Sequence, residues 1–96
     1  DEKATTEGIT MLRKQIDELD NQLMDLLAKR MRVCREIGQY KKEHNMTVLQ
    51  TARYNEILEK RGAQGALCGM EAKFVKKIFE EVHEESVRQQ IEILNK

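Results

Sequence analysis

Residues 9–44 read ITMLRKQIDELDNQLMDLLAKRMRVCREIGQYKKEH, and their large apolar side chains recur at alternating steps of three and four. Ile9, Leu12, Ile16, Leu19, Leu23 and Leu26 form one stripe, continued by Val33 and Ile37. That period is an amphipathic α-helix with a seam for another helix. Thr5 or Thr6 can cap its start, and His44-Asn45 can end it, which leaves residues 1–8 as a linker or frayed start. From Ile9 to His44 such a helix is about 54 Å long at 1.5 Å per residue. A compact chain of this size has a radius of gyration of about 13 Å, so the helix must overhang it. An overhanging half with an apolar seam needs a partner, and the expectation is a homodimer in which the long helices of two copies pack together.

Beyond this segment the pattern predicts two more helices. One runs from Thr47 to Arg61, with Val48, Leu49, Ala52, Ile57 and Leu58 facing inward. Gly62, Gly65 and Gly69 then punctuate a loop whose bulky apolar residues are Leu67 and Met70. The third starts near Met70 and runs close to Lys96, with Phe74, Ile78, Phe79, Val82, Ile93 and Leu94 on its apolar face. The 96 residues are 40% apolar, 35% charged and only 4% aromatic, with no proline. That composition excludes disorder and a turn-rich β fold, so the fold class is all-α, in one helical domain over residues 1–96. Seventeen basic residues balance seventeen acidic ones, leaving no net field to gather nucleic acid or an anionic membrane. No apolar run approaches the roughly 20 residues that span a bilayer. Two cysteines are too few for a disulfide scaffold, which makes a reducing cytoplasm the expected location. The start at Asp1 rather than Met is compatible with a piece of a longer protein.

The residues that break the seams carry the chemistry. Four residues after Leu26, where an apolar residue is due, stands Arg30. Lys41 follows eleven residues later, about 20° around the helix and roughly 16 Å along it. On the second helix Arg53 lies between Leu49 and Ile57 at i±4 spacing. On the third, the ladder Phe74, Ile78, Val82 leads to Ser86 and then Gln90. An unpaired buried cation costs several kcal/mol, so each needs a counter-charge. Either an acid on a neighbouring helix supplies it, or the side chain reaches solvent, or a ligand brings the negative charge into a pocket; a small dicarboxylate suits arginines, which bind carboxylates in bidentate fashion. Arg13 lies about 25 Å from Arg30 along the same helix, too far to share one small ligand. It is either an exposed arginine near a helix start or, in an antiparallel dimer, a residue that completes the partner's pocket. Cys34 reads as a small buried hydrophobe and Cys68 as an exposed thiol without a base beside it. His44 and His83 lack metal-ligand spacing, and only Lys41 of the run Lys41-Lys42-Glu43-His44 is expected to turn inward.

Taken together, Leu12 to Asp20 (LRKQIDELD), Leu26 to Arg30 (LLAKR), Ile37 to Lys41 (IGQYK), Arg53, and Glu84 to Gln90 (EESVRQQ) resemble the all-helical chorismate mutases, the AroQ class. The match covers roughly Met11 to Ile91; no single piece is specific, but the joint spacing is. The resemblance implies the rearrangement of chorismate to prephenate in an intertwined dimer, without metal, cofactor or covalent intermediate. It also implies that Arg13 of the partner chain, Arg30 and Arg53 hold the substrate's carboxylates, that Lys41 and Gln90 donate hydrogen bonds to its ether oxygen, and that Ser86 assists carboxylate binding. Two positions depart from the family pattern: Gln50 and Tyr54 stand where acids would meet the ring hydroxyl. The competing reading is a helical dimerisation module, or a chorismate- or prephenate-sensing domain fused to a larger aromatic-biosynthesis enzyme.

Overall fold

The computed structural model describes residues 2–96, and their side chains from residue 5 onward. It contains three α-helices and, among the described residues, no strand: α1 (Glu2–Glu43), α2 (Thr51–Leu67) and α3 (Ala72–Leu94). At 1.5 Å per residue the 42 residues of α1 extend about 63 Å. No helix among the described residues is long and apolar enough to cross a membrane.

The chain divides into two units, Asp1–Arg30 and Met31–Lys96. The first is the leading part of α1. Its predicted seam of Ile9, Leu12, Ile16, Leu19, Leu23 and Leu26 stands 42–62% exposed. The helix begins earlier than expected. Thr6 is inside it, accepting a bond at its carbonyl from the Thr10 hydroxyl at 2.9 Å, so neither Thr5 nor Thr6 caps it and Glu2–Gly8 is helix rather than linker. Asp1 lies outside the described residues.

The second unit holds the end of α1 together with α2 and α3. α1 stops at the predicted place: Asn45 takes a left-handed φ of 53°, and the Met46 amide closes back onto the Lys41 carbonyl at 2.8 Å, which is a Schellman end. α2 ends the same way, with Gly69 at φ 83° and the Met70 amide on the Gly65 carbonyl at 2.9 Å. α2 therefore starts four residues later than Thr47 and continues past Arg61, so Gly62 and Gly65 are helical and not part of a loop. They are glycine because α2 and α3 touch there: a Cβ on Gly62 would lie 2.7 Å from Lys76 Cε, and one on Gly65 would lie 2.3 Å from Val75 Cγ2. Small residues at a crossing let two backbones approach, whatever their intrinsic helix propensity.

The inward face of α3 is also shifted by one residue. Val75, Ser86 and Gln90 are buried, whereas Phe74 and Ile78 are exposed. Eleven residues (Val75 to Ser86) return a helix to about 20° of its starting direction, while twelve (Phe74 to Ser86) miss by about 120°. Leu49 and Ala52 are exposed too, since α2 begins only at Thr51 and the ladder that placed Leu49 inward does not exist. Cys34 and Val75 are the buried apolar side chains among the described residues.

These contacts predict opposite outcomes for two glycine-to-alanine changes. Gly65→Ala overpacks against Val75 and is expected to lower stability by about 1–3 kcal/mol. Gly8→Ala meets nothing within 4 Å and should raise it by up to about 1 kcal/mol through helix propensity. Urea unfolding of the two variants checks both signs.

Candidate active site

Within the second unit, α1 and α3 run in the same direction and meet along a narrow polar line. Cys34, Gly38 and Lys41 on α1 face Ser86 and Gln90 on α3 at the four-residue and three-residue spacings of helix faces. Gly38 is buried, and a Cβ there would lie 3.1 Å from Gln90 Cα and 3.3 Å from its Cγ. The missing side chain is what brings α1 close enough for Lys41 to reach across.

Three side chains picked out by the sequence are joined by hydrogen bonds. The Lys41 ammonium donates to Gln90 Oε1 at 2.9 Å and to the Val48 carbonyl at 2.8 Å. The Gln90 Nε2 group donates to Ser86 Oγ at 3.1 Å, and the Ser86 hydroxyl donates to Cys34 Sγ at 2.9 Å. Ser86 and Gln90 are 7% and 6% exposed, so polar groups stand where an apolar core would ordinarily continue. An ammonium has three protons and an amide nitrogen two, so Lys41 and Gln90 each keep one donor beyond these bonds. Burial holds the Lys41 amine below its ordinary value of 10.5, and the nearby Cys34 sulfur opposes that shift.

The other predicted site residues of this unit sit differently. Arg53 is 63% exposed at its side chain and pairs with Glu56 at 2.9 Å, one turn along α2, so the i±4 argument that turned it inward fails with the late start of the helix. Gln50 is the extended N-cap residue of α2, and its side chain reaches back to the Thr47 carbonyl at 3.4 Å. Tyr54 is half-buried against His83, ring centroids 4.0 Å apart. Burial first, and the carboxylates of Glu80 and Glu84 second, push its phenol above the ordinary 10.0, so it stays neutral. Leu49, Gln50, Thr51, Tyr54 and His83 line a small cavity of about 120 Å³. In the first unit, Arg13 is exposed and Arg30 half-buried on α1.

Several participants were not read from the sequence. Cys34 is buried as expected but also accepts a hydrogen bond, which its apolar neighbours concealed. Lys42 turns inward alongside Lys41 and donates to the Ile93 and Lys96 carbonyls at the end of α3. His83, half-buried one turn before Ser86, gave no signal beyond lacking a metal-ligand spacing. Glu85, next to Ser86, is bound by Arg88, whose guanidinium holds its carboxyl below the usual range. Among the described residues no group of His, Cys, Asp and Glu is placed to hold a metal.

A hairpin of two helices docked on the end of a long one, with a lysine, a glutamine and a serine meeting inside, defines a helical domain with a cationic polar site. Residues 12–91 match the family model described as Chorismate mutase type II, and the chain belongs to that family. It is similar to the T-protein of Enterobacter agglomerans, 31% identical over 81% of this chain and 21% of that protein. It is also similar to the 4-amino-4-deoxychorismate mutase of Streptomyces pristinaespiralis, 26% identical over 88% of this chain and 66% of that one. A bifunctional chorismate mutase/prephenate dehydratase of Buchnera aphidicola is 27% identical over 93% of this chain and 23% of its own length. The chain thus spans from about a fifth to about two thirds of the length of these relatives.

The hydrogen-bond line carries a prediction of its own. Ser86→Ala removes the acceptor of a buried Gln90 N–H and should cost about 1–3 kcal/mol in urea unfolding. An unchanged midpoint would show that this bond contributes nothing.

Proposed function

We propose that this chain is a chorismate mutase that converts chorismate to prephenate, and that it works as a cytoplasmic homodimer. The observation that carries the reading is the meeting of Lys41 with Gln90 and Ser86 across the α1–α3 contact, in a chain of the chorismate mutase family. Lys41 and Gln90 aim their remaining donors at the substrate's ether oxygen, which gains negative charge as its carbon–oxygen bond breaks and the new carbon–carbon bond forms. The rearrangement passes no proton, so no general acid or base is required. It does require the flexible substrate to be folded into a near-attack conformation. Arg30, Arg53 and Arg13 of the partner copy hold the two carboxylates in that shape, with Ser86 assisting. Arg53 can leave Glu56 for a substrate carboxylate at little cost, because an exposed ion pair is worth about 0–1 kcal/mol. Gln50 and Tyr54, both uncharged, meet the ring hydroxyl.

The exposed seam of the first unit supports the dimer, since six large apolar residues in one line are the seam of a helix pair. A fused enzyme domain in the parent protein, as in the relatives named bifunctional, belongs to the same proposal.

The test is the loss of chorismate followed by ultraviolet absorbance. The protein should turn it over, and Lys41→Ala should lower kcat by about a hundredfold, the usual loss for one preorganised donor; a folded dimer without turnover would identify a docking or sensing module instead. The pH profile supplies a second check. Lys41 must be charged and its value is lowered in the free protein, so kcat/KM should fall as pH rises through that lowered value, below 10.5. A bound dianion favours the ammonium, so the corresponding limb in kcat lies at higher pH. Gln90 does not titrate, so no fall in activity is expected on passing above about pH 6, as a required protonated carboxylic acid would impose.

A further inference from the structure

Three hydrogen bonds of the second unit form one line, from the Lys41 ammonium to Gln90 Oε1, from Gln90 Nε2 to Ser86 Oγ, and from the Ser86 hydroxyl to Cys34 Sγ. A glutamine amide can be turned over with almost no change of shape, so its orientation is decided by its partners alone. Two partners decide it here. The ammonium of Lys41 requires the oxygen on its side. Ser86 accepts from the nitrogen on the other side only while its own proton is engaged elsewhere, and the atom that engages it is the sulfur of Cys34. Cys34 is 5% exposed, so no bulk water substitutes for it.

We infer that Cys34 is a positioning residue of this site: as the acceptor of the Ser86 hydroxyl, it directs the Ser86 proton away from Gln90 and so fixes the face of the Gln90 amide presented to the substrate. The inference rests on the proposed function for its catalytic consequence, but the hydrogen-bond line exists without it. With an apolar side chain at position 34, the Ser86 hydroxyl loses its acceptor on α1 and no longer fixes the Nε2 side of Gln90. The amide is then held by Lys41 alone, and its oxygen accepts less firmly from the ammonium, which keeps the Val48 carbonyl as its other acceptor.

The test compares Cys34→Ser, Cys34→Val and Cys34→Ala in the intact protein by two readouts. One is the titration of Lys41, followed through its side-chain carbon signal by NMR without substrate. The other is the pH profile of chorismate turnover. A serine hydroxyl still accepts from Ser86, so Cys34→Ser should keep the wild-type rate and move the Lys41 titration less than the apolar variants do, since only the contribution of the sulfur is lost. Cys34→Val and Cys34→Ala should both move the Lys41 titration to lower pH and lower kcat/KM about five- to tenfold, the weight of one hydrogen bond. Alanine leaves a void and valine overfills, so agreement between them excludes a packing effect, and either one suffices if the other does not fold. A merely structural role gives the reverse order: Cys34→Val would behave as wild type, Cys34→Ser would be impaired, and the Lys41 titration would not move in any variant. That result overturns the inference. If the wild-type protein does not convert chorismate at all, the proposed function fails, and the Lys41 titrations still decide the role of Cys34.

Discussion

Gly38 brings the backbone of α1 against Gln90 on α3, and the rest of the site depends on that contact. A side chain of any size at position 38 would meet Gln90 Cα and Cγ at 3.1 and 3.3 Å, and real Cβ atoms seldom come so near. With hydrogen there instead, Lys41, one turn on, reaches Gln90, and Cys34, one turn back, reaches Ser86. The same closeness is repeated between α2 and α3, where Gly62 and Gly65 admit Lys76 and Val75. Three glycine contacts thus set α3 close to both of its neighbours.

Holding a cation this way is unfavourable in the free protein. Burial disfavours the Lys41 ammonium, and two hydrogen bonds offset that only in part, which is why its amine stays below the ordinary range. A group kept charged against its surroundings is ready to stabilise negative charge that arrives or develops beside it, with no reorganisation at that moment. The cost is local and appears as a slope in stability. The unfolded chain binds the Lys41 proton more tightly, so this group makes the fold more stable as pH rises from the lowered value toward 10.5. Activity that needs the ammonium declines over that same interval, so stability and function pull in opposite directions there.

Much of this was legible in the sequence, for physical reasons. The long helix was visible because its apolar period extends over about eight turns, and its end because Asn45 tolerates a left-handed φ. Lys41, Ser86 and Gln90 were visible because polar residues at apolar spacings are costly and therefore have a reason. Gly62 and Gly65 misled because glycine weakens an isolated helix, whereas here it serves a crossing that no local pattern reveals. Arg53 misled for a related reason: its inward direction was inferred from Leu49, which precedes the helix, and in the folded chain it turns to Glu56. Phe74 was placed inside because it heads the four-residue ladder to Ser86, yet the eleven-residue return to Ser86 selects Val75. Cys34 looked like a hydrophobe because its hydrogen bond comes from a residue 52 positions away.

The central claim is that a doubly anionic guest completes the charge balance of this site. The most direct measurement is a crystal structure of the protein with a stable bicyclic dicarboxylate that mimics the compact, folded substrate. The account predicts its ether oxygen within hydrogen-bond distance of Lys41 Nζ and Gln90 Nε2, with Arg53 moved from Glu56 onto a carboxylate. A ligand bound elsewhere, with Arg53 still on Glu56 and Lys41 touching only Gln90 and Val48, would contradict it.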